Sequence, residues 1–566
     1  MDVMKLKQLN TLILFVSTLV LSTGCNDFLD TKIDTFITPE AVETNRGTLW
    51  SFANSMYTPI NNGFTTLDNN FFAQASDEGQ RTQDSGNTYI YNRGILSPDN
   101  VNYATNSIYE SLYEGIRAAN FFLDFAKNGE KLLALNRDTI NDFINYDKDL
   151  RNLAWFRAEA HIARAYYYSE LIKRFGGVPI VEKTLDKDEN PGKITRAAYD
   201  EVVDYIVKEI DAYKGALQED WKTHPDNVSK NDGRFELKSA LAVKARTLLY
   251  AASPLNNPNN DKTKWEKAAK AAHDVIALMN YKMPENRDYS AYFQGNNASD
   301  NAESIFLKRI GNNNNLERAN YPIATPGGNS GVTPTENLVS AYEYIGEIDP
   351  VNPYKNRDPR LTATVVANGS TWNSRIIDQS PGGTDDMHKP NTSKTGYYLK
   401  KFIRDNLNLV QGANDYDVWI VFRYAEILLD YAEAMSQAYG PDAQPAGFTL
   451  TSRQALTEVR RSASTSLPEI TTVNPSEYLN AVKHERQVEL AFEDHRYWDL
   501  LRWKDAEIVL NQPVKGLEIA KTVNGDYTYK VVNVGERTFH AKNYRFPFSR
   551  TEVVNSGSTL TQNEGY

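Results

Sequence analysis

Apolar residues recur at steps of three and four along much of the chain, which is the spacing of one buried face on an α-helix. The clearest case predicts a long amphipathic helix over residues 149–174. Its apolar face is formed by Leu153, Phe156, Ala160, Ala163, Tyr167 and Leu171. The run Gly176-Gly177-Val178-Pro179 follows directly, so the helix is predicted to end there.

The same spacing predicts six further helices. The first is capped by Thr195, and its apolar face contains Tyr199, Val202, Ile206 and Ile210. The others are predicted over residues 238–252, 264–279, 421–439, 453–463 and 476–501. The secondary structure is therefore predicted to be mainly helical.

Small residues occupy the positions at which these helices would cross. They are Ala240, Ala242 and Ala245 opposite Ala268, Ala269, Ala271 and Ala272, and Ala425, Ala432 and Ala434 opposite Ala455. Alternation of alanine with bulky residues across helix–turn–helix pairs is typical of tetratricopeptide-like stacking. No strict repeat of 34 residues can be aligned, so the repeats are predicted to be degenerate.

Two stretches, residues 60–100 and 285–415, lack this periodicity. Asparagine runs and Pro-Gly-Gly sequences interrupt the second stretch, and only short strands are predicted, at 304–310 and 361–366. Both stretches are rich in Tyr, Trp and Asn, which favours ordered binding loops on a helical frame. The predicted fold class is mainly α: a tetratricopeptide-like helical-repeat scaffold that carries a loop-rich ligand-binding region with few short strands.

Charge and cysteine content exclude several classes of protein. The chain has 566 residues, with 62 Lys and Arg against 73 Asp and Glu, so its net charge is −11. That sign argues against nucleic acid or an anionic membrane as a partner. The single cysteine, Cys25, excludes a disulfide scaffold and a thiolate-rich metal site.

The first residues resemble an export signal. Lys5 and Lys7 precede an apolar run over residues 12–21, which Ser22-Thr23-Gly24-Cys25 follows. This pattern predicts a signal peptide over residues 1–24. The cysteine directly after Thr-Gly fits a lipoprotein signal, in which the Cys25 thiol is acylated and becomes a lipid anchor. The alternative is a secreted protein with an incidental cysteine at the cleavage site.

Seven short motifs follow one another along the chain. They are Cys25-Asn26-Asp27-Phe28-Leu29-Asp30, residues 157–179 from Arg157-Ala158-Glu159-Ala160 to Gly177-Val178-Pro179, Ala245-Arg246-Thr247-Leu248-Leu249-Tyr250 with Ser253-Pro254, Arg357-Asp358-Pro359-Arg360, Arg423-Tyr424-Ala425-Glu426 with Tyr431-Ala432-Glu433-Ala434, residues 485–503 from Glu485-Arg486 to Arg502-Trp503, and Leu560-Thr561-Gln562-Asn563-Glu564-Gly565-Tyr566. In this order they resemble the SusD/RagB family of outer-membrane nutrient-uptake lipoproteins from Bacteroidetes. One departure is Phe546-Pro547-Phe548, where the family more often has Pro-Ile-Pro.

The resemblance implies a lipid-anchored, surface-exposed outer-membrane protein that acts with a SusC-like TonB-dependent transporter. Such a protein captures an oligosaccharide, or in some members a peptide, and delivers it to the channel. The chemistry is binding, so neither enzymatic activity nor a cofactor is expected. The implied organisation is an N-terminal SusD-like helical part over residues 25–285 and a C-terminal part over 286–566, which includes the binding loops and the closing helices.

A sugar ring needs an exposed aromatic plane and hydrogen-bonding side chains around it. Trp372 lies between polar residues with no obvious core to fill, so it is predicted to stack on a ligand, with packing as the alternative. Tyr89 and Tyr91 alternate on a stretch predicted to be extended, and Asn92 lies beside them. Tyr321, which follows the asparagine run, is a further candidate.

Two charged residues are candidates through the resemblance. Asp77 resembles an acidic motif at the border of the family's ligand pocket, and a loop-capping role is the alternative. Arg360 ends the Asp-Pro-Arg motif and is predicted either to reach the same pocket or to form a structural salt bridge.

Other conspicuous residues are predicted to be structural. Trp155, Trp419, Trp498 and Trp503 are predicted to lie in the core on helices, and Glu485, Arg486, Glu489 and Arg496 to form an ion network. No metal-ligand spacing is found among the histidines. A glycoside hydrolase with two carboxylates, or a protein-binding helical scaffold, remains as an alternative.

Overall fold

The computed structural model describes residues 46–83, 85–101, 107–185, 189, 193–224 and 233–566. The predicted signal peptide and Cys25 lie outside the described residues. The α-helices are α1 Arg46–Ser55, α2 Asn87–Asn92, α3 Ser107–Ala126, α4 Gly129–Ala134, α5 Phe143–Phe175, α6 Tyr199–Tyr213, α7 Leu237–Ala252, α8 Lys262–Met279, α9 Tyr289–Tyr292, α10 Asn315–Asn320, α11 Glu336–Val339, α12 Arg360–Thr364, α13 Tyr424–Tyr439, α14 Ser452–Ala463, α15 Pro475–Glu489, α16 Arg496–Trp503, α17 Ala506–Val509 and α18 Arg550–Asn555. The strands are β1 Gly79–Arg81, β2 Ser304–Asn313, β3 Val332–Pro334, β4 Val365–Ala367, β5 Thr371–Trp372, β6 Arg375–Ile376, β7 Tyr397–Leu399, β8 Asp415–Arg423, β9 Val514–Lys521 and β10 Tyr527–Gly535.

Helix pairs form the frame. The packing of α7 on α8 and of α13 on α14 agrees with the alanine pattern, and α8 also packs on α13 and joins the two pairs. Helix α3, which the sequence analysis does not predict, packs on α5. Every alanine predicted to lie at a crossing is at most 3% exposed. The mainly helical, tetratricopeptide-like fold class is therefore confirmed. The division at residue 285 stays a prediction, because helices from both sides of it pack in one continuous core.

The long helix α5 ends where the sequence predicts but begins six residues earlier. Gly176 ends it with a φ of +74°, a conformation that glycine adopts without a steric penalty. The next helix is not capped by Thr195. Its N-cap is Ala198, whose backbone N–H donates to the Glu201 carboxylate at 2.7 Å, so α6 begins one turn later than predicted.

The strands form five two-stranded antiparallel pairs: β1 with β3, β2 with β8, β4 with β7, β5 with β6, and β9 with β10. The strand predicted at 304–310 is confirmed, and it extends to Asn313. The strand predicted at 361–366 is confirmed only at its end, because residues up to Thr364 are helical and the strand begins at Val365.

Strand β8 corrects the prediction of a helix from residue 421. Residues 415–423 form a strand, and helix α13 begins at Tyr424. Both faces of β8 are buried from Asp417 onward, so its apolar run lacks the alternation that marks a half-exposed strand. Trp419 accordingly lies on a strand, not on a helix, although its predicted core position is confirmed.

The helix predicted over 476–501 is divided in two. Helix α15 ends at Glu489 and α16 begins at Arg496. Between them Phe492 and Asp494 adopt φ values of +61° and +63°, which no α-helix contains. The break turns residues after 490 toward different neighbours from those that a continuous helix would reach.

A cluster of buried charged side chains lies between these elements, and we call it the central ion network. Its members are Arg287, Glu303, Asp358, Arg360, Lys401, Arg423, Glu485, Glu489 and Glu493, each at most 6% exposed in its side chain. The Arg423 guanidinium donates to Glu303 at 2.8 Å, Glu489 at 2.7 Å and Glu493 at 2.6 Å. The predicted ion network is confirmed in part. Glu485 and Glu489 belong to the central ion network, whereas Arg486 pairs with Asp430 and Asp499, and Arg496 pairs with Asp77.

The network determines the charge state of Glu489. Burial by itself would raise the pKa of this carboxyl, but the guanidinium groups of Arg287, Arg423 and Arg360 hold the pKa well below its ordinary value. The network is therefore a set of fixed ion pairs that joins α12, β8 and α15.

Within the described residues, we find no helix that is both long and apolar enough to cross a membrane.

Candidate functional site

Four groups of loop-rich segments are joined to one another by hydrogen bonds. We define this loop face as residues 66–83 with 85–93, 311–331, 371–376 and 403–416. Hydrogen bonds between the segments include Thr82 N–H to Gly331 O at 3.0 Å, Asn70 Nδ2 to Asn320 Oδ1 at 3.0 Å, Arg375 Nη2 to Thr325 Oγ1 at 3.1 Å, Arg318 Nη2 to Leu409 O at 2.6 Å and Asn314 Nδ2 to Ala413 O at 2.9 Å. These bonds join the segments directly, so the face has a defined shape.

Two tyrosine rings are exposed on the loop face. Tyr89 on α2 is 40% exposed and Tyr416 on β8 is 58% exposed. Arg93 lies 5.2 Å from the centre of the Tyr89 ring, and Tyr416 lies opposite Asn312 in the β2–β8 pairing. Each ring thus combines an apolar plane with a neighbouring polar side chain.

Trp372 is not exposed as predicted. Its side chain is 1% exposed on strand β5, and its ring meets that of Tyr321 edge to face at 5.2 Å between centroids. Tyr321 is itself fully buried, and its hydroxyl donates to the carbonyl of Arg404 while accepting from the Leu407 N–H at 3.1 Å. The sequence predicts both rings as ligand contacts, whereas the structure buries them against each other.

The segment of Tyr89 and Tyr91 is helical, so the predicted extended segment is wrong. Asp68 accepts the N–H groups of Asn87 at 2.9 Å and Thr88 at 2.7 Å at the start of α2. Tyr89 is the most exposed residue of this helix, and Asn87 and Ile90 are partly exposed. Tyr91 is 8% exposed against Phe72 and Phe546, and Asn92 is 7% exposed.

Asp77 and Arg360 are both buried in ion pairs. The Asp77 carboxylate accepts two hydrogen bonds from Arg496, each at 2.8 Å. Burial would raise the pKa of Asp77, but Arg496 holds it below the ordinary value. Arg360 donates to Asp358 at 2.6 Å, Glu485 at 2.5 Å and Glu489 at 2.8 Å. The alternative of a structural salt bridge is therefore confirmed for Arg360.

The pKa values of two carboxyl groups are raised in this region: Glu317 on α10 and Asp417, which follows Tyr416 on β8. Glu317 is fully buried. Burial and the charge of Asp417 raise the pKa of Glu317 to about 8, and burial with the charge of Asp415 raises the pKa of Asp417 to about 7. This part of the face therefore holds bound protons at neutral pH.

Sequence reasoning missed Tyr416. A signal was present, because Tyr416 follows the polar run Gln411-Gly412-Ala413-Asn414-Asp415 at the start of an apolar stretch. The apolar spacing predicts a helix only from residue 421 and gives no indication that Tyr416 lies at the exposed start of strand β8. No group of three or more His, Cys, Asp or Glu side chains in the described part of the chain is arranged to hold a metal ion.

Two family models together match most of the chain. Residues 278–566 match the model described as "SusD family", and residues 27–249 match a model described as "Starch-binding associating with outer membrane". A SusD-like protein of Formosa agariphila is 25% identical over 453 residues, which cover 72% of this chain and 84% of the relative. A second SusD-like protein of the same organism is 22% identical over 433 residues, 75% of this chain and 76% of that relative.

Solved structures have the same fold. A SusD-like protein from Bacteroides fragilis superposes with a TM-score of 0.75 at 24% identity, covering 94% of this chain and 99% of its own. A SusD-like carbohydrate-binding protein from the same species gives 0.70 at 24% identity, with 91% and 99% covered. Surface glycan-binding protein A from Bacteroides fluxus gives 0.63 at 20% identity, with 92% and 100% covered. With one family model matching more than half of its length, the chain belongs to the SusD family.

Proposed function

We propose that this protein is a cell-surface glycan-binding lipoprotein that captures an oligosaccharide and delivers it to a SusC-like TonB-dependent transporter. The names of its relatives support this, since one family model is described as starch-binding and two fold neighbours are named for carbohydrate or glycan binding. The observation that carries the proposal is the exposure of Tyr89 and Tyr416 on an ordered loop face.

The chemistry of the face fits a saccharide. A sugar ring has an apolar face of C–H groups, which stacks on an aromatic plane, and a rim of hydroxyls, which needs donors and acceptors. The Tyr416 ring offers the plane, and Asn312 beside it offers both a donor and an acceptor. Tyr89 with Arg93 offers a second plane with a donor.

We assign the buried aromatic residues a supporting role. Trp372 and Tyr321 lie beneath the face and connect segments 311–331, 371–376 and 403–416. Fixing these segments before a ligand arrives reduces the ordering entropy that binding would otherwise cost.

Binding without catalysis agrees with the pairing of the acidic side chains. A glycoside hydrolase needs two carboxyl groups that flank an open cleft. On the loop face, Asp68 pairs with Arg81 at 2.6 Å and Asp415 pairs with Arg404, while Glu317, whose pKa is raised, is fully buried and does not face an open cleft. These pairs favour a binding role over a hydrolytic one.

The predicted anchor has a direct test. A Cys25→Ala variant should leave the membrane fraction while its far-ultraviolet circular dichroism stays unchanged. The comparison is made in cells that lack the partner transporter, so that only the lipid holds the protein. Continued fractionation with membranes would contradict anchoring through Cys25.

The glycan proposal is tested by screening the purified protein against polysaccharides, oligosaccharides and peptides by isothermal titration calorimetry. Tyr416→Ala and Tyr89→Ala should each weaken binding of the best glycan by about tenfold, since a central aromatic contact is worth on the order of 1–2 kcal/mol. Phe143→Ala is the matched control, because Phe143 is 59% exposed but lies outside the loop face.

The outcomes separate the alternatives. Loss of affinity in both tyrosine variants with unchanged melting temperatures supports the proposal. Peptide binding without binding of any glycan would replace it with the peptide-binding alternative. Release of shorter sugars during the titration would establish hydrolysis.

A further inference from the structure

Helix α2, which carries the exposed Tyr89 ring, is too short to be stable by itself. It contains the six residues Asn87–Asn92, whereas isolated helices shorter than about 12–15 residues are marginal in water. The first N–H groups of a helix also lack partners within the helix. The N-cap residue is Gly86, which has no side chain to accept hydrogen bonds from them. The position of the Tyr89 ring therefore depends on contacts from another segment.

A single carboxylate from an earlier turn supplies the missing acceptors. Asp68 Oδ1 accepts from the Asn87 backbone N–H at 2.9 Å and from Asn87 Nδ2 at 3.1 Å. Its Oδ2 accepts from the Thr88 N–H at 2.7 Å and from the Thr88 hydroxyl at 2.6 Å. The two residues directly before Tyr89 thus donate four hydrogen bonds to one side chain.

The Asp68 carboxylate is itself held in place. Nη1 of Arg81 on β1 lies 2.6 Å from Oδ2, and the Asp68 side chain is 9% exposed. Two backbone hydrogen bonds between Leu67 and Asn70, at 3.0 and 2.9 Å, close the turn that carries it. Burial alone would raise the pKa of Asp68, but the hydrogen bonds from α2 and the charge of Arg81 hold it below its ordinary value. The carboxylate is therefore ionised at neutral pH and accepts through both oxygens.

The close approach of Asp68 to α2 requires a glycine at position 86. Gly86 has a φ of +77°, and a Cβ at this position would lie 2.8 Å from Asp68 Oδ1. A larger residue would collide with the carboxylate and would also have to adopt a conformation that favours glycine. Gly86 and Asp68 therefore form one matched contact between the turn at 67–70 and helix α2.

We propose that Asp68 is the positioning residue of the Tyr89 ring, and that it determines glycan affinity by fixing α2 and not by contact with the ligand. This inference rests on the proposed contact between Tyr89 and a glycan. Four hydrogen-bond donors and one guanidinium face a carboxylate that has about four acceptor sites, so the carboxylate is saturated without a ligand. A ring that is fixed before the glycan arrives loses less conformational freedom on binding.

The first measurement needs no glycan. Asp68→Asn preserves the size of the side chain and tolerates the φ of +51° at this position, but it replaces one acceptor oxygen by a donor. Hydrogen–deuterium exchange of residues 87–92 in the purified protein should become at least tenfold faster. Exchange in the frame helices α7 and α8 should stay unchanged, because Asp68 does not contact them.

Asp349→Asn is the matched control. The Asp349 carboxylate also accepts from two backbone N–H groups, those of Val351 at 2.9 Å and Asn352 at 3.0 Å, and it pairs with Lys355 at 3.1 Å. It lies outside the loop face, so this substitution should leave the exchange of residues 87–92 and the glycan affinity unchanged.

The second measurement relates the position of α2 to the glycan by a double-mutant cycle. With the best glycan from the screen, Asp68→Asn should weaken binding three- to tenfold, and by no more than Tyr89→Ala does. In the Tyr89→Ala background it should cause no further loss, because the ring through which it acts is gone. In the Tyr416→Ala background the loss should be as large as in the natural protein.

Unchanged exchange of residues 87–92 in Asp68→Asn would overturn the proposal, and so would an equal loss of affinity in both tyrosine backgrounds. Gly86→Ala disturbs the same contact from the side of α2 and should reproduce both effects, which keeps the test valid if Asp68→Asn folds poorly. Failure of the proposed function gives a different pattern. Tyr89→Ala would then leave glycan affinity unchanged while residues 87–92 still exchanged faster in Asp68→Asn, and the effect of Asp68 on affinity would be refuted with it.

Discussion

The central ion network and the loop face lie in the same fold but differ in how they use polar residues. In the network, Arg360 and Arg423 are buried and make ion pairs with several carboxylates each. On the loop face, Tyr89 and Tyr416 are exposed beside polar side chains. The motifs that resemble the SusD/RagB family contain Arg360, Arg423, Glu485 and Glu489 but neither exposed tyrosine.

The motifs therefore mark the buried frame of the protein and not its exposed loop face. Removing one partner of a buried ion pair leaves the other charge buried and unpaired, which lowers the free energy of unfolding by on the order of 3–5 kcal/mol. Substitution of an exposed loop residue changes the same free energy by no more than about 0.5 kcal/mol. A frame of buried pairs is therefore recognisable in sequence, while the surface that selects a ligand is free to vary. The motifs identify the scaffold and leave the ligand undetermined.

The largest effect is expected from a substitution that breaks the central ion network. Arg423→Met leaves three carboxylates without their shared guanidinium and should lower the free energy of unfolding by about 3–5 kcal/mol. Urea denaturation followed by circular dichroism measures the change. Arg461→Met, which removes an exposed pair with Glu285, should have little effect. Equal effects of the two substitutions would mean that burial of the network contributes nothing to stability.

A second substitution tests whether Trp372 is a core residue or a ligand contact. Because Trp372 is buried against Tyr321, Trp372→Ala should lower the free energy of unfolding by about 3 kcal/mol, and Trp372→Phe should lower it less. The same urea titration detects both. If Trp372→Ala instead abolished glycan binding with no loss of stability, Trp372 would be a contact residue of the face.

The smallest expected effect concerns the buried carboxyl group of Glu317. Since the pKa of Glu317 is about 8 in the folded protein against an ordinary value of 4.5, the folded state keeps a proton that the unfolded chain releases. Its contribution to stability is complete below pH 4.5 and is lost as the pH rises to about 8. Glu317→Gln cannot ionise, so its stability relative to the natural protein should rise by roughly 1–3 kcal/mol between pH 5 and pH 8.5.

Thermal melts at intervals of half a pH unit measure this difference. Glu347→Gln, at an exposed position, should follow the natural protein at every pH. A constant offset between Glu317→Gln and the natural protein would show that Glu317 is ionised throughout.

Much of the frame could be predicted from the sequence, because long periodic segments such as 149–174 determine their own secondary structure. Helix α5 and the buried alanines of α7 and α8 follow from spacing alone. The errors arose where both faces of an element are buried, as in β8, or where single residues adopt left-handed conformations, as Phe492 and Asp494 do. Local patterns do not contain that information.

The candidate site was harder to predict, because exposure depends on contacts between distant segments. Trp372 stands among polar neighbours in the sequence, yet Tyr321, about fifty residues earlier, buries it. Asp77 was singled out as a candidate ligand contact, but its partner Arg496 lies more than four hundred residues away. Only Tyr89, of the residues proposed from sequence, is exposed on the loop face.

The central claim is that the loop face binds the glycan, and hydrogen–deuterium exchange with the best glycan from the binding screen tests it most directly. The account predicts slower exchange in residues 85–93, 311–331 and 403–416 when the glycan is bound, and no such slowing in the Tyr416→Ala variant at the same glycan concentration. Protection confined to α3 and residues 552–560, or to the helix pairs of the frame, would contradict it.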